Sequence, residues 1–241
     1  MATEELGNVG KTPAGDILTS RKVYIVTLVQ PSSGAPEGFE ERYNAYWSAV
    51  EQQVSQLEAK AGIVMRIFAE GVIGRGDDAM LMVQQSNPAA HRFVQRRVSA
   101  GAEFEEFEDT DLFGQVIDWG RCLQSGLINH TVADTIQAHY TEAADKRMTH
   151  LAQRLSEGIL ESEAAVLLTG DQNIGLPNGI ERFIVSPPEL DELSRWVEQT
   201  NEAIRQQMDE EQARAAAGGP PSAPDPDDQS DNGSKLWTPG S

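Results

Sequence analysis

Acidic side chains follow two predicted strands, at points where α/β proteins often carry their chemistry. Glu70 and Gly71 come directly after an apolar run, and Asp109 and Asp111 come directly after a second, more acidic segment. The carboxyl ends of parallel strands lie at one edge of a sheet, where such proteins bind ligands. The loops that contain Glu70, Asp109 and Asp111 are therefore places to search for a site, and these three carboxylates are the candidate site residues.

The elements that must position these residues alternate between apolar runs and amphipathic segments. A continuous apolar run such as 23–29 is typical of a buried strand, and apolar residues recurring every three or four positions, as in 39–61, indicate a helix. Strands are predicted at 23–29, 63–69, 164–168 and 182–185. Residues 102–109 are either a short acidic strand or the entry to the following helix, and the strand is favoured because it preserves the alternation. Helices are predicted at 39–61, at 80–98 with a break at Asn87-Pro88, at 110–124, at 130–158 and after Pro187-Pro188.

This alternation predicts an α/β fold, a helix-rich, three-layer Rossmann-like sandwich. Its sheet is expected to be mostly parallel and to have four or five strands. The order strand, helix, strand over the first three elements is that of a βαβ unit, which requires parallel strands.

Composition divides the chain into four segments. Residues 1–20 form a flexible N-terminal segment, 21–212 a single α/β domain, and 213–234 a linker rich in Gly, Pro, Ser and Asp that is predicted to be disordered. Residues 235–241, with the sequence KLWTPGS, place a Leu-Trp pair and a Pro-Gly turn at the end of that linker. Aromatic anchors dominate small interfaces, so Leu236, Trp237 and Pro239 are predicted to form a docking peptide for a protein partner.

The formal charge of the 241-residue chain is −19, which opposes binding to nucleic acids or anionic membranes. No window approaches the roughly 18 consecutive apolar residues of a membrane helix, and the start of the chain lacks the pattern of a signal peptide. The sequence therefore predicts a cytoplasmic protein with no nucleic-acid partner and no membrane partner. The one cysteine, Cys122, is expected to be a small buried hydrophobic residue in a helix.

The acidic motifs resemble those of the Toprim phosphotransfer domain, over roughly residues 63–114. In that family a Glu-Gly turn and an Asp-x-Asp motif end neighbouring strands and hold Mg²⁺. The resemblance implies that Glu70, Asp109 and Asp111 bind Mg²⁺ and that the chain catalyses metal-dependent phosphoryl transfer or ester hydrolysis. The segment before Asp109 departs from the family, because it is acidic where the family's strand is apolar. The competing interpretation is that these carboxylates are solvated and lie at helix starts, which the helix dipole favours.

Other motifs that could carry catalysis are weak. The loop 169–179 is dense in Gly and Asn but does not match a phosphate-binding loop, and it is interpreted as a hairpin or crossover turn. The four histidines show no metal-ligand spacing. The sequence therefore favours a non-enzymatic binding, regulatory or adaptor protein that engages a protein partner and needs no cofactor. The alternative is the Mg²⁺-dependent enzyme implied by the acidic motifs.

A homodimer is also predicted, from the aromatic residues of two helices. Tyr43, Tyr46 and Trp47 lie on the first long helix and Trp196 on the last. Together they carry more aromatic surface than one sheet face is expected to cover. Their helical spacing also allows the opposite interpretation, in which all four rings belong to the core.

Overall fold

The computed structural model describes residues 19–32, 34–170 and 174–217. These residues form a helix-rich α/β fold around a five-stranded sheet whose strand pairs are all parallel, which confirms the predicted fold class. The strands are β1 (Arg21–Thr27), β2 (Val64–Ala69), β3 (Glu103–Phe104), β4 (Ala164–Thr169) and β5 (Ile180–Val185). The helices are α1 (Phe39–Ala61), α2 (Gly76–Ser86), α3 (Pro88–Ser99), α4 (Thr110–Gln124), α5 (His130–Gly158) and α6 (Pro188–Ala217).

The strand order is β3-β2-β4-β1-β5, so the fourth strand lies in the middle of the sheet. Strands β1 and β2 are parallel, as the βαβ pattern predicted, but β4 lies between them and pairs with both. Every residue of β4 is buried, which explains why its sequence AAVLLT is apolar up to the final Thr169. Because β1 also separates β4 from β5, the connection between these last two strands is a crossover and not a hairpin.

Apolar side chains cover both faces of the sheet. On one face, Tyr24 and Val26 of β1 pack with residues of α1, α2 and α3 and with Leu190 and Leu193 at the start of α6. On the other face, Val23 and Ile25 pack with residues of α5 and of the segment after β4. Alternate residues of a strand point to opposite faces, so this division follows from the strand geometry. The three layers of the sandwich are thus helices, sheet and helix.

The predicted strand at 102–109 is much shorter in the structure. Only Glu103 and Phe104 pair with β2, and the chain then bends. Phe104 packs in the cluster on the α1 face, whereas Phe107 packs against Phe68 on the α5 face, with ring centroids 5.6 Å apart. The two rings therefore anchor this segment to both layers, as expected for residues an odd number of positions apart in an extended segment, whose side chains point to opposite faces.

Helices α4 and α5 form a hairpin that carries few buried side chains. Helix α4 has none, and the buried residues of α5 are Ala143, Leu151 and Leu155, all in its second half. Helix α5 has 29 residues and is therefore about 43 Å long, at about 1.5 Å per residue. A six-residue strand covers about 20 Å, so the sheet covers only part of this helix.

The aromatic residues from which a dimer was predicted mostly belong to the core. Tyr43, Tyr46 and Trp47 are buried, and Tyr46 donates a hydrogen bond of 2.6 Å to the carbonyl of Thr27. Trp196 is half-buried under the guanidinium of Arg42, which lies 4.9 Å from the ring centroid. These rings therefore give a homodimer no support, and the dimer stays a prediction.

The chain divides into two compact units, Met1–Val197 and Glu198–Ser241. In the second unit the structure describes residues 198–217, which are helical, and Ile204 and Met208 there are exposed. The predicted α/β domain at 21–212 spans the boundary between these units. The predicted flexible segment falls outside the described residues except for 19 and 20, and the linker falls outside them from residue 218 on.

Gly158, the last residue of α5, provides a test of packing between the helix and the sheet. A Cβ atom at this position would lie 2.8 Å from Cζ of the buried Phe68. We expect Gly158→Ala to lower the free energy of unfolding by about 1–3 kcal/mol, the usual cost of overpacking. Gly114 in α4 is the control, because a Cβ there meets no described atom within 4 Å, and Gly114→Ala should raise stability by about 0.5–1 kcal/mol. Urea unfolding measures both, and equal stabilities for the two variants would contradict the packing.

Candidate functional site

A cleft of about 370 Å³ opens at the carboxyl edge of the sheet, where three parallel strands end. Ligands of open α/β sheets bind at this edge. The segments that follow β1, β2 and β4 contribute to the cleft, and one side of it is formed by α4 and α5. Its lining residues are Leu28, Gln30, Glu70, Gly71, Phe113, Val116, Ile117, Arg147 and Gly170.

Glu70, the first residue after β2, accepts three hydrogen bonds at the floor of this cleft. Its Oε2 accepts from the hydroxyl of Thr169 at 2.7 Å and from the backbone N–H of Gly170 at 3.0 Å, and its Oε1 accepts from Nη2 of Arg147 at 3.0 Å. Burial alone would raise the pKa of the Glu70 carboxyl, but these three donors outweigh it and hold that pKa below its usual value. The side chain is therefore a carboxylate at neutral pH.

Arg147 of α5 joins Glu70 to a second carboxylate, that of Glu108. Glu108 has a side chain with no exposed surface, and it accepts a 2.9 Å hydrogen bond from Nε of Arg147 and a second one from Nη2. Burial would lower the pKa of the Arg147 guanidinium, but the hydrogen bonds and charges of the two carboxylates raise it. We call Glu70, Glu108 and Arg147 the ion triad. The triad ties α5 to the end of β2 and to the segment after β3.

Gly71 shows why the local sequence allows this arrangement. Its φ of +75° lies in the left-handed region, which glycine adopts without strain. In this conformation the Gly71 N–H donates a 2.8 Å hydrogen bond to Oε1 of Glu108. A Cβ at this position would lie 3.8 Å from the ring of Phe113, an ordinary van der Waals contact, so the left-handed backbone and not a lack of space favours glycine here.

The other two predicted site residues lie at the start of α4. Asp109 is the N-cap residue, and its Oδ1 accepts from the N–H groups of Asp111 at 3.0 Å and Leu112 at 2.9 Å. Asp111 is exposed in the first turn, where the helix dipole stabilises its negative charge. Both placements agree with the helix-start interpretation of the Asp-x-Asp motif.

The geometry gives a Mg²⁺ ion little support. Glu70 already neutralises part of the charge of Arg147, and a cation placed beside it would meet that guanidinium. Asp109 uses its Oδ1 to cap α4. Among the described residues, no three His, Cys, Asp or Glu side chains group so that they could hold a metal ion. The magnesium site stays a prediction drawn from the sequence.

Sequence reasoning missed Glu108 and Arg147. Arg147 is 77 residues from Glu70 and 39 residues from Glu108, so no local motif connects them. One signal was present, since Glu108 directly precedes the predicted Asp109 and follows the Phe107 ring that anchors the segment. Only the pairing of β2 with β3 and the position of α5 bring the three charges together.

We found no match to this chain among protein families, curated proteins or solved structures. In the described parts of the chain, the helices are too short or too polar to cross a membrane.

Replacing Arg147 tests whether the ion triad holds the structure together. Arg147→Met leaves the buried Glu108 without its cation, and removing one partner of a buried pair costs about 3–5 kcal/mol. Arg154→Met is the control on the same helix, since Arg154 donates one 2.9 Å hydrogen bond to the carbonyl of Glu106, and its loss should cost about 1 kcal/mol. Equal urea midpoints for the two variants would show that the triad is not required.

The lowered pKa of Glu70 predicts a pH dependence of stability. A carboxyl whose folded pKa lies below its unfolded value of 4.5 stabilises the protein above that pH, and this contribution is lost as the pH falls through the folded pKa. We therefore expect the difference in unfolding free energy between the wild type and Glu70→Gln to be constant from pH 7 to pH 5 and to shrink below pH 4.5. Urea titrations at these pH values measure it. A difference that does not change with pH would contradict the assignment.

Proposed function

We propose that this chain is a non-enzymatic binding protein that engages a protein partner through the free end of the α4–α5 hairpin. The observation that carries the proposal is the exposure of Ile128, the residue between the two helices, whose side chain is 96% exposed. Its apolar neighbours are Leu123 and Leu127, which are half-buried, and Val132, which is exposed. We define the hairpin tip as Leu123, Leu127, Ile128 and Val132.

The position of the tip follows from the ion triad. Arg147 and Phe113 lie at the carboxyl edge of the sheet, where the guanidinium is 5.4 Å from the centroid of the phenyl ring. From Arg147 back to His130, α5 runs for 17 residues, or about 25 Å, before it reaches the turn. Within this stretch only Ala143 is buried. The tip therefore extends beyond the sheet, where a partner can reach it.

The hairpin carries exposed apolar side chains whose burial against a partner would stabilise a complex. Ile128 is 96%, Val132 47% and Ile117 38% exposed. Burying one such side chain contributes about 1.5–3 kcal/mol. Several exposed apolar residues on one helical hairpin mark an interaction site more often than a single exposed residue does.

Charge indicates which partner suits the tip. Residues 110–146 contain five acidic and two basic residues, a formal charge of −3, within a chain of −19. This charge opposes a nucleic acid or an anionic membrane and favours a surface of opposite sign. The partner expected here is a protein that presents an apolar helix face flanked by Lys or Arg.

The lining of the carboxyl-edge cleft is one reason why this proposal favours binding over catalysis. Its charged groups are paired with one another, and Glu70 and Arg147 share a hydrogen bond. Among the described residues that line it there is no Ser, Cys or His that could act as a nucleophile or as a general base.

The C-terminal peptide provides a second contact in this proposal. Leu236, Trp237 and Pro239 lie outside the described residues, so the proposal for them depends on sequence alone. The preceding polar stretch of about seventeen residues, at about 5–6 Å times the square root of its length, gives the peptide a reach of about 20–25 Å. A tethered second contact raises the apparent affinity for a partner held at the tip.

A labelled amphipathic helical peptide made of Leu and Lys tests the tip directly. We expect it to bind the wild type at physiological ionic strength in fluorescence anisotropy, and to bind the variant Ile128→Ser/Val132→Ser at least about tenfold more weakly, from the lost apolar burial. Leu81→Ser in α2 is the matched control, because Leu81 is 53% exposed on a different helix, and it should bind like the wild type.

Two outcomes would overturn this assignment. If the tip variant and the control bind the peptide equally, the tip is not the binding surface. If light scattering gives twice the chain mass of 26.3 kDa for the wild type and a monomer for the tip variant, the tip pairs two copies of this chain.

The tail is tested on a partner captured from cells and then purified. Trp237→Ala and a truncation at Asp231 should each weaken its binding, and unchanged affinities would remove the docking peptide.

A further inference from the structure

The cleft at the carboxyl edge is lined by Arg147, which can donate hydrogen bonds, and by Glu70, which can accept them. Arg147 uses Nε and Nη2 for Glu108 and Glu70, and none of the described hydrogen bonds uses its Nη1 amino group. Oε1 of Glu70 accepts a single described bond, from Arg147, and a carboxylate oxygen can accept two. Both side chains line the cleft and remain partly exposed, Glu70 by 26% and Arg147 by 12%.

The charged groups at the floor of the cleft disfavour both anionic and cationic ligands. Two carboxylates and one guanidinium give the ion triad a formal charge of −1. An anionic ligand would meet the carboxylate of Glu70 beside the guanidinium, and a cationic ligand would meet Arg147. Since charges interact strongly at a partly buried site, a neutral ligand is favoured. Such a ligand must accept from Nη1 of Arg147 and donate to Oε1 of Glu70.

The walls above the floor are apolar. Leu28, Phe113, Val116 and Ile117 surround the opening, and Gln30 adds one amide at the rim. A volume of about 370 Å³ lies within the usual range for small-molecule sites, where apolar walls hold the body of the ligand and a few polar groups orient it. Phe113 also offers a ring face or edge to a flat ligand.

We propose that this cleft binds a small, neutral ligand whose amide or lactam group is attached to a flat apolar ring. The carbonyl oxygen of the ligand accepts from Nη1 of Arg147, and its N–H donates to Oε1 of Glu70. The ring lies between Leu28 and the α4 residues Phe113 and Val116. This binding site is separate from the hairpin tip, because none of the described residues that line the cleft belongs to the tip.

The matched pair benzamide and benzoate tests the proposal. The two molecules have the same shape, but benzoate lacks the N–H donor and carries a negative charge. In ¹⁵N-correlated NMR spectra of the full chain, we expect millimolar benzamide to shift the backbone amides of Gly71 and Gly170, which line the cleft, and benzoate to shift them little. The proposal is overturned if benzamide leaves both amides unmoved, or if benzoate shifts them as much.

The variant Glu70→Gln separates the charge from the shape of the floor. Its carboxamide can still accept from Thr169 and Gly170, and the formal charge of the floor rises from −1 to 0. The ratio of benzamide to benzoate affinity should therefore fall by about tenfold or more. An unchanged ratio in a variant whose circular dichroism matches the wild type would overturn the role of Glu70. Ile128→Ser/Val132→Ser should bind benzamide normally, so failure here and failure of the protein-binding tip are distinguished.

Discussion

The carboxyl edge of this protein depends on the pairing of the Arg147 guanidinium with two carboxylates, those of Glu70 and Glu108. The guanidinium lies between the two carboxylates, one of them fully buried, so its removal would leave charge in a place that water cannot reach. The three groups come from the end of β2, from the segment after β3 and from α5. A buried ion pair gains little over apolar packing in free energy, but it defines one geometry, because each hydrogen bond has a fixed direction. The ion triad therefore sets where α5 meets the sheet.

The rest of the functional architecture follows from that junction. On one side of it, Leu151 and Leu155 of α5 pack on the sheet and contribute to the core. On the other side, α5 and α4 leave the sheet and cover mainly each other, which exposes the hairpin tip. The cleft lies at the junction itself, with the triad as its floor and α4 as part of its wall. A hairpin that is fixed to the sheet at the ion triad and exposed at its tip suits a protein that binds other molecules.

The acidic motifs show how one residue pattern can serve different physical roles. Asp109 and Asp111 have the spacing of metal ligands, but the same spacing places one carboxylate at an N-cap and the next in the first turn of a helix. Glu70 lies at the strand end where a ligand site was expected, and its partner there is an arginine. A carboxylate that is already paired with a guanidinium serves as an acceptor of hydrogen bonds more readily than as a metal ligand, because the nearby positive charge opposes a second cation.

The sequence by itself determined the class of the fold and most of its elements, although it extended β3 over residues 102–109. The continuous apolar runs of β1 and β4 and the periodic spacing in α1 and α5 are local patterns, because burial on one or both faces selects residue types at fixed intervals. The loop after β2 was predicted as a place for a site because the ends of parallel strands meet at one edge, and Glu70 lines a cleft there.

Only the tertiary structure decided which strands are neighbours and which charges meet. The insertion of β4 between β1 and β2 depends on the packing of both sheet faces, which no single segment encodes. The pairing of Glu70 with Arg147 joins residues 77 positions apart and arises because α5 returns across the sheet. The exposure of Ile128 could not be predicted from the sequence either. The sequence around an isoleucine between two helices does not show whether a neighbouring segment covers it. Secondary structure is set by local patterns of burial, whereas a site is set by contacts between distant segments, and for that reason the sequence predicted the first more fully than the second.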